Sequence, residues 1–298
     1  MKKIRLLLVF LLFALFASVF SLQKICLCYA DPLFLMGFRM ALSGFLLIFI
    51  LFLNGKIKIK KEHFYLFFLL GLFNIYFTNI FEILGLKTMS SAKACLIYSL
   101  SPFLTAFIAP IFLNEFITAR KFFGILIGFF GLIPMIYIKS LEELNIKTIW
   151  VFSMSELFLL FAVFFSVIGW IFLKKIQLKG YSFFLANGIS MFFGGFCILI
   201  TSFVVNENWN PFPIYNLFYF MFFTFLTAII SNIICYNLFG YLLNYFSATF
   251  MTFSGLMTPF FAAFFGYFFL KEGITWHFFL SVFIFFFGLL IFYFDEKN

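Results

Sequence analysis

The few charged residues inside long apolar stretches of this chain are the first candidates for chemistry. Arg39, Glu82, Lys93 and Glu156 each lie within or at the edge of such a stretch. A charge in apolar surroundings is costly unless it is paired, solvated or bound to a ligand. We therefore take these residues as candidates for binding a charged solute.

Each of these charges also has a structural interpretation. The planar fork of Arg39 suits a substrate carboxylate or phosphate, but Arg39 could instead pair with Glu82 or extend towards lipid headgroups. Glu156 could bind a substrate amine or relay protons, or it could cap the start of its own helix beside Ser153 and Ser155. The sequence leaves these alternatives open.

Uncharged polar residues add a second candidate group. Asn74, Thr78 and Glu82 follow one another at intervals of four residues, which places them on one face of a helix with 3.6 residues per turn. Asn232 and Tyr236 repeat part of this spacing. Two such faces could line a central cavity, or their side chains could hold neighbouring helices together by hydrogen bonds.

Proline and glutamate mark turns and bends. We expect Pro102 and Pro259 to lie in helix interiors, where a proline removes a backbone hydrogen bond and favours a kink. Such a kink could act as a hinge or could only shape a cavity. Glu115 and Glu272 lie between apolar stretches, and we expect them to fix the turns there.

Enzymatic motifs are missing from the sequence. The two histidines, His63 and His277, lie at the ends of apolar stretches, and there is no His-Glu-x-x-His motif, glycine-rich phosphate loop or aspartate-rich cluster. The five cysteines have no zinc-type spacing. We therefore expect no catalytic residue, no metal and no cofactor.

Composition places all these residues in a membrane protein. The 298 residues are 65% hydrophobic and only 10% charged, against about 25% charged in ordinary soluble domains. A surface this apolar requires lipid as solvent, which excludes a soluble enzyme or a nucleic-acid-binding protein. The net charge of +9 is then explained by lysines on the cytoplasmic side.

Apolar runs of about 20 residues predict an all-α integral membrane protein with ten transmembrane helices. The expected spans are Ile4–Gln23, Pro32–Leu53, Phe64–Leu86, Ser91–Leu113, Phe122–Ile138, Met154–Leu173, Tyr181–Val205, Ile214–Phe239, Phe246–Leu270 and Thr275–Phe294.

The chain also repeats itself. At an offset of 157 residues Pro102 matches Pro259 and Glu115 matches Glu272, and at 158 residues Asn74 matches Asn232. Proline and glutamate are scarce enough here for their matches to count, and together the matches indicate a duplicated five-helix unit. Five is odd, so the second unit must be inverted in the membrane. We expect residues 1–140 and 150–298 to form the two repeats.

The positive-inside rule gives an independent orientation. With the N-terminus in the cytoplasm, thirteen lysines and arginines fall on inner segments and six on outer segments. This distribution predicts that both termini are cytoplasmic and that the chain is a multi-pass protein of the inner, cytoplasmic membrane.

Local motifs suggest a family. The stretch from Ser99-Leu100-Ser101-Pro102-Phe103 to Leu113-Asn114-Glu115, and its counterpart from Thr258-Pro259-Phe260 to Leu270-Lys271-Glu272, resemble EamA-type members of the drug/metabolite transporter superfamily. Lys24, Pro32 and Arg39 also resemble that family's pattern between spans 1 and 2. The family's Trp-Gly-Ser stretch in the first span is Phe16-Ala17-Ser18 here.

The resemblance and the inverted repeat together predict a carrier for small polar organic metabolites that works by alternating access. Arg39 and Glu82 favour a solute with separated charges, such as an amino acid or its derivative. The alternative is a non-transporting membrane module for binding or assembly. The expected partners are a small metabolite and the lipid bilayer, not nucleic acid, and the sequence leaves open whether the chain forms a homodimer.

Overall fold

The computed structural model of the chain is built from helices. It describes residues 2–55, 59–88, 94, 97–113, 115–132, 154–205, 207, 209, 212–270 and 276–297. Within these ranges the extended structure is limited to one isolated bridge between Ala30 and Ile214. The all-helical expectation is therefore confirmed. The boundary expected between the two repeats, at residues 140–150, lies outside the described residues.

Ten helices occupy the described part of the chain. They are α1 Lys2–Cys26, α2 Pro32–Leu53, α3 Lys61–Thr88, α4 Ser101–Leu113, α5 Ala119–Phe130, α6 Met154–Leu178, α7 Phe183–Val204, α8 Leu217–Leu243, α9 in two halves, Ala248–Ser254 and Thr258–Leu270, and α10 Trp276–Lys297.

Length and composition make these helices suited to a bilayer. Seven helical stretches among the described residues are long and apolar enough to cross it, and α4 and most of α10 form shorter apolar helices. Many large apolar side chains point outwards, including Phe107 and Phe283, which are 68% and 72% exposed. Such a surface is stable only against lipid tails, so the chain is a multi-pass membrane protein.

Two helices contain a wider turn in their middle. In α3 the segment Gly71–Phe77 is a π-helix, and in α8 the segment Ala228–Cys235 is one as well. A π-helix bonds each N–H to a carbonyl five residues earlier, so it rotates the side chains that follow relative to an α-helix. These two π-helical segments decide which polar residues face the interior.

Glycines let certain helices approach closely. A Cβ atom added at Gly195 of α7 would lie 2.3 Å from the backbone nitrogen of Ala41 in α2, and one at Gly44 would lie 2.2 Å from that of Phe192. Likewise Gly124 of α5 and Gly288 of α10 meet backbone to backbone. Small residues at such crossings are typical of membrane bundles, where packing drives association.

Carboxylates tie the helix starts to other parts of the bundle. Glu115 accepts a hydrogen bond from the backbone nitrogen of Ala248 at 2.9 Å and pairs with Lys174 at 3.9 Å. Glu207 accepts hydrogen bonds from the backbone nitrogens of Leu33 and Phe34, both at 2.9 Å. Glu115 therefore joins the start of α9 to the end of α6, whereas Glu272 lies outside the described residues.

One of the two matched prolines lies at a different position from the one expected. Pro102 is the second residue of α4, directly after a turn at residues 99–100, and Pro259 is the second residue of the latter half of α9, after a 3₁₀ turn at Gly255–Met257. The expectation of a helix-interior position was wrong for Pro102, which lies in the first turn of its helix, where a proline sacrifices no helical hydrogen bond. Pro259 lies inside α9, directly after the 3₁₀ turn that divides this helix into its two halves. The proline inside α4 is Pro110.

The glycine crossing of α2 and α7 gives a stability prediction. Gly195→Ala forces a methyl group against the Ala41 backbone, which cannot move independently of α2. We expect the free energy of unfolding to fall by about 1–3 kcal/mol, measured as a lower melting temperature in detergent. Val204→Leu, at the outward-facing end of the same helix, where Val204 is 74% exposed, serves as control. Equal melting temperatures for the two variants would contradict the packing account.

Candidate functional site

A cavity opens between the helices, and its atom-free space, which includes space open to solvent, is about 850 Å³. Its walls come from α1, α2, α3, α4, α6, α8 and α9, and from Tyr98 just before α4. The lining residues are Phe13, Phe16, Val19, Phe20, Gln23, Arg39, Thr78, Asn79, Glu82, Tyr98, Ser101, Ser166, Val167, Trp170, Ser231, Tyr236, Phe239, Thr252, Gly255 and Thr258.

Arg39 is the most informative residue in this wall. It is 2% exposed, its Nε has no hydrogen-bond partner, and its guanidinium forms no ion pair with any described residue. Arg39 and Glu82 line the same cavity and influence each other electrostatically, but no salt bridge joins them. The guanidinium therefore retains donors for a ligand.

Glu82 faces the same space from α3. The Tyr98 hydroxyl donates a hydrogen bond to Glu82 Oε2, and the Gln23 amide also interacts with this carboxylate. Gln23 Oε1 has no hydrogen-bond partner in the described part of the chain. This side of the cavity therefore offers a cation-binding carboxylate next to an anion-binding guanidinium.

The first helix contributes a large share of the wall. Phe13, Phe16, Val19, Phe20 and Gln23 of α1 all line the cavity. The segment Phe16-Ala17-Ser18, which stands where the resembling family has Trp-Gly-Ser, thus presents Phe16 to the interior. An aromatic ring takes part in the lining although the motif is changed.

The structure places Asn74 and Asn232 outside the cavity lining. Both are fully buried: Asn74 packs against Gly169 of α6, and Asn232 donates a hydrogen bond to Met40 Sδ at 2.6 Å. The π-helical segments explain this, because the four-residue spacing holds only for a regular α-helix. Asn79, one position beyond Thr78, lines the cavity instead.

Of the remaining residues expected at the site, some line the cavity and others do not. Thr78 and Tyr236 line the cavity, and Thr78 Oγ1 donates to the Phe73 carbonyl five residues earlier, at 2.8 Å. Glu156 lies in the first turn of α6, away from the cavity lining, where a carboxylate stabilises the positive end of the helix dipole. Lys93 lies outside the described residues.

Trp170 is a lining residue that the sequence patterns did not single out. It is 8% exposed and packs on Phe239 with ring centroids 4.0 Å apart, and on Tyr236 at 5.1 Å. Tryptophan in membrane proteins is enriched at the interfaces with water. A tryptophan in the middle of an apolar stretch was therefore a signal that could have drawn attention to this position.

Metal chemistry has no support among the described side chains. No group of three or more His, Cys, Asp or Glu residues within them is arranged to hold a metal ion. The charged groups of the cavity lining are instead one guanidinium and one carboxylate, surrounded by aromatic rings and hydroxyl groups. This arrangement can bind an organic solute that carries both charges.

Membrane transporters commonly bind their substrates in a cavity between helices, and this bundle has such a cavity with a few charged and polar side chains in its wall. A family model described as "EamA-like transporter family" matches residues 3–137 and 153–294. The chain belongs to this family, as its motifs indicated, and it is a membrane transporter.

Two relatives agree with this assignment, and one solved structure shares the fold. The chain is 36% identical to the S-adenosylmethionine/S-adenosylhomocysteine transporter of Chlamydia muridarum over 89% of this chain and 84% of that protein. It is 35% identical to the transporter of the same name from Chlamydia trachomatis serovar L2, over 89% and 82%. A crystal structure with 11% identity covers both chains fully with a TM-score of 0.70, which shows a common fold.

The unpaired state of Arg39 gives a second stability prediction. Arg39→Met removes a buried charge that has no ion-pair partner, so we expect the melting temperature to stay the same or to rise. Glu115→Ala removes a helix cap and an ion pair, and we expect a loss of about 1 kcal/mol. Thermal unfolding of both purified variants checks this contrast. A loss of about 3–5 kcal/mol for Arg39→Met would instead indicate a buried salt bridge with Glu82.

Proposed function

We propose that this chain transports S-adenosylmethionine across the cytoplasmic membrane in exchange for S-adenosylhomocysteine. The observation that carries the proposal is the buried, unpaired guanidinium of Arg39 next to the Glu82 carboxylate. Both solutes end in an amino acid group with one carboxylate and one ammonium. The names of the two chlamydial relatives point to the same pair of solutes.

In this proposal Arg39 and Glu82 hold the two ends of the amino acid group. The Arg39 fork donates two parallel hydrogen bonds to the carboxylate, an arrangement that lysine could not supply. Glu82, oriented by the Tyr98 hydroxyl, accepts the ammonium. Thr78 and Tyr236 complete this part of the site from α3 and α8.

The solute is larger than an ordinary amino acid. The cavity continues beyond Arg39 and Glu82 to side chains of α1, α8 and α9, and we propose that this part receives the adenosine group. Aromatic rings and hydroxyl groups, such as those of Phe13, Ser101 and Ser231, line the rest of the wall. We therefore propose adenosyl amino acids as substrates and not free amino acids.

We further propose that residues 1–140 and 150–298 form two inverted five-helix repeats that rock about this cavity. Supporting features are the similar positions of the π-helical segments Gly71–Phe77 and Ala228–Cys235, and of Pro102 and Pro259 after short breaks in their helices. These breaks interrupt the helix next to the cavity-lining residues Ser101 and Thr258. They are the proposed hinges for alternating access.

The proposed orientation places both termini in the cytoplasm. In this orientation Glu115, Lys174 and the start of α9 lie at the inner end of the bundle. Asp31 and Tyr215, whose side chains are hydrogen bonded, lie at the outer end. The excess of lysine and arginine on inner segments supports this orientation.

Counterflow in proteoliposomes tests the proposed function. Vesicles loaded with unlabelled S-adenosylhomocysteine and diluted into radiolabelled S-adenosylmethionine should accumulate the label, and Arg39→Met should lower the initial rate at least about tenfold. Arg120→Met carries the same chemical change at an exposed position of α5 away from the cavity, and it should transport normally.

Two outcomes would contradict the proposal. Wild-type vesicles that fail to accumulate the label would exclude this substrate pair. Stoichiometric binding of label to the protein without accumulation in the vesicle lumen would instead favour a non-transporting binding module.

A further inference from the structure

Four aromatic residues form a continuous wall on one part of the cavity, and we call them the aromatic cage. They are Phe16 of α1, Trp170 of α6, and Tyr236 and Phe239 of α8. Phe239 stacks on Trp170 at 4.0 Å with an interplanar angle of 26°, and Trp170 meets Tyr236 at 5.1 Å and 47°. Phe16 meets Tyr236 edge to face at 6.5 Å and 65°.

The cage lies next to the charged pair. Tyr236 is close enough to Glu82 and Arg39 to interact electrostatically with both, and the Asn79 side chain interacts with Tyr236. The cage is also well shielded: Trp170, Tyr236 and Phe239 are 8%, 7% and 3% exposed. All four cage residues line the same cavity as Arg39 and Glu82, so a ligand held by that pair shares this space with the rings.

The charged side chains of the lining indicate which part of the solute the rings bind. Arg39 and Glu82 are the charged side chains of the described lining, and together they balance the two charges of an amino acid group. The sulfonium of S-adenosylmethionine adds one further positive charge, and no second carboxylate of the described lining is present to meet it. Aromatic faces attract cations of this kind through their ring quadrupoles, most strongly when water is excluded.

We propose that the aromatic cage is the sulfonium subsite and that it sets the preference for S-adenosylmethionine over S-adenosylhomocysteine. This inference rests on the proposed function. The two solutes differ by one methyl group on sulfur and hence by one positive charge. The cage attracts the cation electrostatically, whereas the neutral thioether gains only apolar contact with the same rings. Both solutes bind, but the demethylated one leaves more readily.

The alternative occupant of the cage is the adenine ring, which both solutes carry. Stacking of adenine on Trp170 would contribute equally to the two affinities. Removing the ring then lowers both affinities by the same factor and leaves their ratio unchanged. The ratio of the two dissociation constants therefore separates the two assignments.

The experiment measures binding of each solute to purified full-length protein in detergent by isothermal titration calorimetry. Trp170→Leu should weaken S-adenosylmethionine binding about 3- to 30-fold more than S-adenosylhomocysteine binding. Trp170→Phe keeps an aromatic face and should retain most of the preference. Phe107→Leu, at a 68% exposed position outside the cavity, should leave both affinities unchanged and controls for general effects of aromatic loss.

The outcomes that overturn the inference are distinct from those that overturn the proposed function. Equal loss of both affinities in Trp170→Leu assigns the cage to adenine and leaves the transport proposal standing. A preference that survives in Trp170→Leu but disappears in Glu82→Gln assigns the sulfonium to the carboxylate. If wild-type protein binds neither solute, the proposed function is wrong and the sulfonium subsite is wrong with it. If Trp170→Leu unfolds, the ratio of the two dissociation constants is measured for Phe239→Leu, which removes the ring stacked on Trp170.

Discussion

The cost of keeping a charge away from water in a hydrocarbon-like interior governs the design of this protein. Arg39 is almost completely buried, and the surrounding helices offer its guanidinium no ion pair among the described residues. Such a charge is tolerated where a polar cavity and a nearby carboxylate stabilise it. Glu82 supplies the opposite charge without closing a salt bridge, so both groups retain the capacity to bind a solute.

The rest of the fold keeps this cavity open while packing the bundle tightly elsewhere. Glycines at the crossing of α2 and α7, and of α5 and α10, bring backbones together away from the cavity. The π-helical segments of α3 and α8 rotate Asn74 and Asn232 into helix contacts and turn Asn79 and Tyr236 towards the cavity. Close packing and a binding space are thus obtained from the same helices by local changes in helix geometry.

Much of the fold could be predicted from the sequence, because apolar length alone sets where a chain can cross lipid. The bounds of α2 were predicted to the residue, and the start of α6 as well. Arg39 and Glu82 were found as candidates because charge is rare in apolar stretches. The positions of Asn74 and Pro102 were not predictable in this way. A π-helical segment and a helix break both depend on tertiary packing, which periodicity does not encode.

The central claim is that the solute binds in the cavity next to Arg39, and cysteine accessibility tests it most directly. In a variant without its native cysteines, a cysteine at the cavity-lining position Thr78 should react with a water-soluble thiol reagent, and S-adenosylmethionine should slow that reaction. A cysteine at Asn74, one turn away on the same helix and fully buried outside the cavity, should remain unreactive. Reaction at Asn74 alone, or reaction at Thr78 that the solute leaves unchanged, would contradict the account.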